Sequence, residues 1–293
     1  MNSSWIGAIC LSLAASIWGG MYVVSKVVLT FVSPLTLVWL RYAIAFFILL
    51  ALLRMKERSR PVLTGRDWLL FAWIGFIGYF VSISLQFVGT KLSNAHMGAL
   101  LTSASPAFMI LFARFVLGET VTVRKMIALL LSTAGVLVIV GQGETGGSFT
   151  GNATLLGAAV TWALMSVYVR KASTRHSSLA ITTYSILFGW LFTTPFMVGE
   201  WLSGSRPDVS DPLVLAGILY LGIVSTAGAF FLWNKGLELV SAGYASLFFF
   251  FQPVVGALLG WLLLNEHLSL AFLAGGICIA AGILIAAREE SSE

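Results

Sequence analysis

The chain has 293 residues, of which 58% are hydrophobic and only 10% are charged, with a formal net charge of +5. Soluble domains carry about 25% charged residues, so this composition, with a mean hydropathy of +0.95, excludes a water-facing surface over most of the chain. The basic residues are spread through short segments between apolar runs and form no patch, which argues against a nucleic-acid partner.

Ten apolar runs are long enough to cross a bilayer, which takes about 20 residues of helix. In chain order they cover residues 5–27, 34–53, 68–88, 95–117, 126–142, 152–169, 179–199, 212–234, 242–264 and 270–287. The connections are short and leave no room for a soluble domain. The sequence therefore predicts an all-α integral membrane protein with ten transmembrane helices.

The distribution of Lys and Arg predicts the orientation of these spans. With the N-terminus in the cytoplasm, twelve basic residues lie in inside segments and three, Lys26, Lys91 and Arg206, lie in outside segments. Cytoplasmic loops carry an excess of basic residues. We therefore expect both termini to be cytoplasmic.

The two halves of the chain, residues 1–145 and 146–293, resemble each other. Pro106 and Pro253 are 147 residues apart, and a separation of 144 residues pairs Trp18 with Trp162. Each half holds five predicted spans, and because five is odd the second half enters the bilayer upside down. The prediction is two inverted five-helix repeats, an arrangement that suits alternating access.

The two prolines predict paired breaks in membrane helices. A proline inside a helix removes a backbone hydrogen bond, and in lipid the freed carbonyl must be satisfied by protein or water. Ser103 lies just before Pro106, and Gln252 directly precedes Pro253. Such paired breaks point to the binding site of a transporter, so we expect both polar residues at a central site, with one face of the Phe248–Phe251 run beside it.

Aromatic and basic residues share one face of the first span. Trp18, Tyr22 and Lys26 recur at i, i+4 and i+8, and the sixth span repeats the spacing with Trp162 and Arg170. We interpret the aromatic residues as lining a cavity. For Lys26 and Arg170 we favour anchoring at the membrane interface, where basic side chains near helix ends usually lie.

A second polar face occurs in the third span, where Tyr79, Ser82 and Gln86 fall at i, i+3 and i+7. The eighth span carries Trp233 and Asn234 at matching places. A polar face within lipid must meet protein or water. Two interpretations of this face remain open: it lines a cavity, or it forms hydrogen bonds between helices.

Arg41 is predicted seven residues into the second span, about 10 Å below its end. A charge at that depth is costly, and the middles of the predicted spans contain no Asp or Glu. A substrate carboxylate, a helix C-terminus or Glu266 are candidate partners, and a structural role is also open. The missing acid argues against a cation antiporter with an embedded carboxylate and favours neutral or anionic-headed substrates such as amino acids.

Several of these features together resemble a known family. Trp18-Gly19 followed by Lys26, Arg41 in the second span, and the helix-end pairs Gly118-Glu119 and Asn265-Glu266 are similar to those of EamA-type members of the drug/metabolite transporter superfamily. The resemblance covers nearly the whole chain. It implies a bacterial inner-membrane carrier, commonly an exporter of amino acids or other small metabolites. Ser185 and Ala163 replace Arg41 and Gly19 in the second half, which suggests an asymmetric site.

The resulting hypothesis is a secondary transporter, functional as a monomer, that exports a small metabolite without a cofactor or metal. Its predicted substrate-binding residues are Trp18, Tyr22, Arg41, Tyr79, Ser82, Gln86, Ser103, Trp162, Trp233, Asn234 and Gln252, with helix breaks at Pro106 and Pro253. A broad drug or organic-cation exporter and an importer of the same fold are alternatives. A channel and an intramembrane enzyme are remote ones, because the histidines are dispersed and no catalytic set of side chains is apparent.

Overall fold

The fold was analysed in a computed structural model. It describes residues 3–56, 63–93, 98, 101–102, 104–140, 148–205, 207, 209–255, 258 and 270–290, without the side chains of residues 22, 139–140, 271–273 and 289–290. The predicted all-α class holds for this part of the chain, which contains helices and no strand.

The helices follow the predicted apolar runs and extend most of them by a few residues. They are α1 (Ser3–Val28), α2 (Pro34–Lys56), α3 (Gly65–Leu92), α4 (Ser105–Val116), α5 (Val123–Val140), α6 (Phe149–Ala172), α7 (Ser178–Leu202), α8 (Pro212–Leu239), α9 (Ala242–Val255) and α10 (Leu270–Glu290). Of these, α1, α2, α3, α6, α7 and α8 are long and apolar enough to cross a membrane. The number of crossings in the whole chain stays a prediction.

Polar residues at the helix starts explain why the helices begin where they do. Thr64 and Asp67 form a reciprocal capping box at α3, while the hydroxyls of Ser148 and Ser177 accept from backbone N–H groups in the first turns of α6 and α7. Such caps satisfy N–H groups that have no partner within the helix. They place these helix starts one to three residues before the predicted span limits.

Two helices contain a stretch of π-helix at matching places. In α3 it covers Gly75–Ser82, and in α8 it covers Ile223–Gly228. Widened turns of this kind occur mostly at functional sites. Within the second stretch the Thr226 hydroxyl donates to the Leu221 carbonyl at 2.6 Å, which gives a main-chain acceptor of the distorted turn a partner.

The two prolines lie beside irregular helix. Pro106 is in the first turn of α4, after a turn at Ala104, rather than in a helix interior, so no helical hydrogen bond is lost there. Pro253 follows a 3-10 stretch, Leu247–Phe250, inside α9. A further proline, Pro195, lies inside α7; the sequence analysis did not single it out.

Helix packing repeats itself between the two halves. α1 packs on α8 as α6 packs on α3, and α2 packs on α8 as α7 packs on α3, while α5 pairs with α10. The contacts at glycines match in detail: Gly236 of α8 faces Leu11 of α1, and Gly89 of α3 faces Leu155 of α6. The same close approach therefore occurs twice.

The ends of these helices show that α1 and α6 run in opposite directions. Gly7, near the start of α1, lies against Val240 just beyond the end of α8, whereas Lys26, near the end of α1, binds carbonyls at the end of α3. Gly151, near the start of α6, lies against Leu92 at the end of α3. The start of α6 therefore meets the end of α1.

The packing at Gly236 predicts the effect of a single methyl group. In a Gly236→Ala variant the new Cβ would overlap the side chain of Leu11, which is fully buried. We expect the free energy of unfolding to fall by about 1–3 kcal/mol. Thermal unfolding of the purified protein in detergent measures the change.

Gly199→Ala is the matched control, because Gly199 is also helical but has no atom within 4 Å of an added Cβ. This variant is expected to unfold at the same temperature or higher, since Ala favours helix over Gly by about 0.5–1 kcal/mol. Equal melting temperatures for the two variants would contradict the packing argument.

Candidate functional site

A small cavity of about 30 Å³ lies between α1, α3, α4, α6, α8 and α9. Its described lining is aromatic on one side and uncharged and polar on the other: Trp18, Met21, Ser82, Gln86, Thr102, Ser105, Ala158, Ala159, Trp162, Phe230, Phe249 and Gln252. Pockets for small molecules commonly combine apolar walls with a few polar groups in this way.

Trp18 is the centre of the aromatic wall. Its ring centroid lies 5.3 Å from that of Trp162, 5.5 Å from Trp233, 5.7 Å from Phe230 and 6.0 Å from Phe249. The five rings come from α1, α6, α8 and α9. Aromatic clusters bury large areas with few rotatable bonds, so this wall joins helices of both halves through rigid side chains.

The hydroxyl groups of the lining bind main-chain carbonyls of α6. Ser82 of α3 donates to the Ala158 carbonyl at 2.8 Å, and Ser105 of α4 donates to the Ala159 carbonyl at 3.3 Å. Thr102 donates to the Gly98 carbonyl at 2.7 Å. These bonds fix the hydroxyl groups of the lining, and the lining residue Gln252 is also buried.

The indole N–H groups of the aromatic wall differ in their partners. Trp18 Nε1 donates to the Ser225 carbonyl at 3.1 Å, and Trp233 Nε1 donates to Ser166 Oγ at 3.3 Å. Trp162 Nε1 is buried and has no hydrogen-bond partner among the described residues. A buried donor without a partner is uncommon and calls for an explanation.

Arg41 lies behind the cavity wall and is fully buried. Its Nε donates to Thr226 Oγ1 at 2.6 Å, and its guanidinium carbon lies 5.6 Å from the ring centroid of Phe230, a lining residue. Nη1 approaches the sulfur of Met21, another lining residue, at 3.9 Å. Among the described residues no carboxylate pairs with Arg41, and Glu266 lies outside them.

Tyr79, Trp233 and Asn234 lie one layer behind the lining. Asn234 Nδ2 donates to Tyr79 Oη at 3.0 Å and to Thr182 Oγ1 at 2.8 Å. The Tyr79 ring packs on Phe230 with centroids 5.0 Å apart. These side chains support the wall, and the structure brings Trp18, Ser82, Gln86, Trp162 and Gln252 to the cavity itself.

Two predicted site residues are not placed by the structure. The side chain of Tyr22 and the whole of Ser103 lie outside the described residues. The cavity also contains residues that the sequence analysis did not select, notably Met21, Phe230, Phe249 and the two alanines of α6. Phe249 is the member of the Phe248–Phe251 run that lines the cavity, and a 3-10 stretch covers Leu247–Phe250.

The basic residues near the helix ends bind carbonyls at opposite ends of the bundle. Lys26 Nζ donates to the Thr90 and Ser93 carbonyls at 3.2 and 3.1 Å at the end of α3. Arg170 Nη1 donates to the Leu237 and Glu238 carbonyls at 3.0 and 2.7 Å at the end of α8. A cation at a helix C-terminus is favourable, so both side chains stabilise helix ends.

Glu119, the acid that follows the first proline, caps a helix start. Its carboxylate accepts from the N–H groups of Ala242 and Gly243 at 2.9 and 3.1 Å, at the start of α9. The negative charge also interacts favourably with the positive end of the helix dipole. Among the described residues no group of three or more His, Cys, Asp or Glu side chains is placed to hold a metal ion.

The surroundings of Arg41 predict opposite effects for two substitutions. An unpaired buried charge destabilises a membrane helix by about 2.5–3.5 kcal/mol, so Arg41→Met, which keeps much of the volume, is expected to raise the melting temperature or leave it unchanged. Arg41→Ala leaves a void and is expected to lower it. Thermal unfolding of both variants without ligand separates these effects, and a large loss of stability in Arg41→Met would assign Arg41 a structural role.

The chain is similar to known proteins over nearly its whole length. A family model described as "EamA-like transporter family" matches twice, over residues 5–141 and 149–288. "Uncharacterized transporter YetK" of Bacillus subtilis is 30% identical over 284 residues, which covers 94% of this chain and 85% of that protein. "Protein PecM" of Dickeya dadantii is 28% identical over 274 residues, 93% of this chain and 89% of that protein.

The fold is also similar to that of a solved crystal structure. The two superpose with a TM-score of 0.79 at 20% sequence identity, over 99% of this chain and 98% of the other. The similarity extends over the full length and therefore includes every helix that surrounds the cavity. On the strength of the matches to both halves, this chain belongs to the EamA-like transporter family, a family of membrane transporters.

Proposed function

We propose that this protein is a secondary transporter that exports amino acids or similar small metabolites across the bacterial inner membrane by alternating access. The observation that carries the proposal is the buried cavity where Trp18 and Trp162, equivalent residues of the two halves, meet with ring centroids 5.3 Å apart. Its wall is aromatic and its polar groups are uncharged, a surface suited to binding and releasing a small molecule.

Two inverted repeats, residues 1–145 and 146–293, are part of this proposal. The double match of the family model supports them, and so do the opposite directions of α1 and α6. The matched contacts of Gly236 with Leu11 and of Gly89 with Leu155 give the same support at the level of side chains. We infer that five helices of each half cross the membrane, with helices α1, α3, α6 and α8 around the cavity.

Repeated contacts of this kind suit alternating access. The α1–α8 contact at one end of the bundle has a near equivalent in the α6–α3 contact at the other end. Lys26 and Arg170 then stabilise opposite ends in the same manner. Opening one end while the other stays closed exchanges similar contacts, so the two states differ little in free energy.

The first test fills the cavity with a larger side chain and removes no hydrogen-bonding or aromatic group. Ala159 of α6 lines the cavity, and an Ala159→Leu variant fills part of it. We expect saturable counterflow of labelled amino acids in proteoliposomes to fall at least about tenfold, in variant protein that elutes as a single folded species in gel filtration, because a pocket of this kind must hold most of a ligand's surface.

Ala153→Leu is the control, since Ala153 lies on the same helix but is exposed. It is expected to leave counterflow unchanged. Release of amino acids from cells that are fed dipeptides tests the outward direction. Equal flux through both variants would contradict the cavity as the transport site, and non-saturable flux would favour a channel.

A second candidate within transport is an exporter of organic cations. The rings of Trp18, Trp162, Phe230 and Phe249 around one cavity favour it, because aromatic faces attract cations. Labelled tetraethylammonium in the same proteoliposomes separates the two candidates. Counterflow of this cation in place of amino acids would identify the cation exporter.

The proposed orientation predicts the labelling of two loop positions that flank α7. Cys10 and Cys278 are the only cysteines, so serine at both gives a cysteine-free background. In that background Thr174→Cys, before α7, is expected to resist a membrane-impermeant maleimide in intact cells, and Ser203→Cys, after α7, to react. Both positions are exposed in the folded protein. The reverse result would overturn cytoplasmic termini.

A further inference from the structure

We propose that the central cavity selects an acceptor-bearing substrate, neutral or anionic, whose acceptor atom binds the indole N–H of Trp162, and that it rejects cations. This inference rests on the proposed transport function and specifies the chemistry of its substrate. It is carried by one unpartnered donor and by the position of one buried charge.

The first observation is the free indole donor of Trp162. Trp162 lines the cavity, is 7% exposed, and its Nε1 has no hydrogen-bond partner in the described part of the chain. Indole has one donor and no acceptor. A buried donor without a partner costs free energy, and that cost disappears when a bound molecule supplies an acceptor. An ammonium group has only donors and cannot do so.

Comparison with the other half of the protein explains why this donor is free. Trp18, the equivalent of Trp162, donates to the Ser225 carbonyl in the π-helical stretch of α8. The matching residue in the π-helical stretch of α3 is Gly78, yet Trp162 makes no such bond. One indole of the pair fastens two helices together, and the other remains available to a ligand.

The second observation is the charge of Arg41. Its guanidinium contacts two lining residues of the cavity, with Nη1 3.9 Å from the sulfur of Met21 and the guanidinium carbon 5.6 Å from the ring centroid of Phe230. No described lining residue is ionisable, so the positive charge dominates the local electrostatics. In a site of low dielectric constant this field favours an anion or a negative dipole and opposes a second cation.

The aromatic wall then binds the apolar part of the substrate rather than a cationic group. Arg41 already lies over the Phe230 ring, with 5.6 Å between its guanidinium carbon and the ring centroid. A ligand cation on the cavity side would share that ring with a like charge. Trp18 and Phe249 of this wall stack on each other, with ring centroids 6.0 Å apart and ring planes at 24°.

Three ligands with the same ring test this selectivity. Indole-3-acetate is an anion with two acceptors, indole-3-acetamide is neutral with one carbonyl acceptor, and tryptamine is a cation at pH 7. Dissociation constants are obtained from ligand-induced shifts of the melting temperature of the full-length purified protein. Indole-3-acetate and indole-3-acetamide are expected to bind at least about tenfold more tightly than tryptamine.

The role of the indole N–H is tested by replacing Trp162 with 3-benzothienylalanine, in which sulfur takes the place of N–H. The shape is preserved and the donor is lost, so acetamide binding is expected to weaken about tenfold while the melting temperature without ligand is unchanged. The same replacement at Trp233, which donates to Ser166, is the control. It is expected to lower the melting temperature and to preserve the order of the three ligands.

Arg41→Met supplies an independent readout if the Trp162 variant does not fold. It removes the field and keeps the Trp162 donor, so the preference for acetamide over tryptamine is expected to shrink but to remain. The proposal is overturned if tryptamine binds the original protein as tightly as acetamide, or if the sulfur analogue binds acetamide unchanged. It is also overturned if neither this series nor the smaller benzoate, benzamide and benzylamine series binds.

These measurements detect binding and do not require flux. A preference for ligands that carry a hydrogen-bond acceptor, without counterflow of any solute, would support this inference and contradict the proposed transport function. Counterflow of tryptamine as fast as that of acetamide would support transport and contradict the inference. The two proposals can therefore fail separately.

Discussion

The whole arrangement depends on the need to satisfy every main-chain polar group in an environment without water. Hydrocarbon offers no hydrogen bonds, so each carbonyl that a distorted helix releases must find a donor within the protein. The side chains of the site follow the same constraint: Trp18 donates to a carbonyl in the π-helical stretch of α8, and Ser82 and Ser105 pair their own hydroxyls with carbonyls of the regular helix α6. The residues around the cavity thus also hold neighbouring helices together.

Near symmetry and its exceptions have separate consequences. In the proposed alternating-access mechanism, the matched helix contacts would make an inward-open and an outward-open arrangement similar in free energy, which a carrier needs if neither state is to trap it. Arg41 has Ser185 as its counterpart, and Trp18 has a hydrogen bond that Trp162 lacks. These differences lie at the cavity rather than at the helix ends. In the proposed mechanism, the matched helix contacts therefore serve the change between the two states, and the differences between the halves serve recognition of the substrate.

Much of this was predictable from the sequence, and the errors have physical causes. Apolar runs predicted the helices because length and hydropathy determine what can lie in lipid, and the repeat identified Trp18 and Trp162, which line the cavity. Helical periodicity placed Tyr79 on one face with Ser82 and Gln86; Ser82 and Gln86 line the cavity, while Tyr79 packs on Phe230 and accepts a hydrogen bond from Asn234. The sequence predicted neither the π-helical stretch over Gly75–Ser82 nor the 3-10 stretch over Leu247–Phe250, both of which change the angle between successive residues. Distortions of this kind depend on tertiary packing and leave no clear signal in a single sequence.

The charge preference of the cavity bears on the direction of transport. A passive carrier cannot determine the direction of net transport. The symmetry or asymmetry of the protein changes the rates of transport and the populations of its states, but not the equilibrium distribution of the substrate across the membrane. The membrane potential can determine the direction: moving one elementary charge across 100 mV changes the free energy by about 2.3 kcal/mol, and the bacterial interior is negative. An anion admitted by the field of Arg41 is therefore driven outward with no ionisable group on the protein, whereas a neutral acceptor-bearing molecule follows its own gradient. Export then requires no coupling ion for the anionic members of the substrate class, which agrees with a cavity whose described lining contains no titratable side chain.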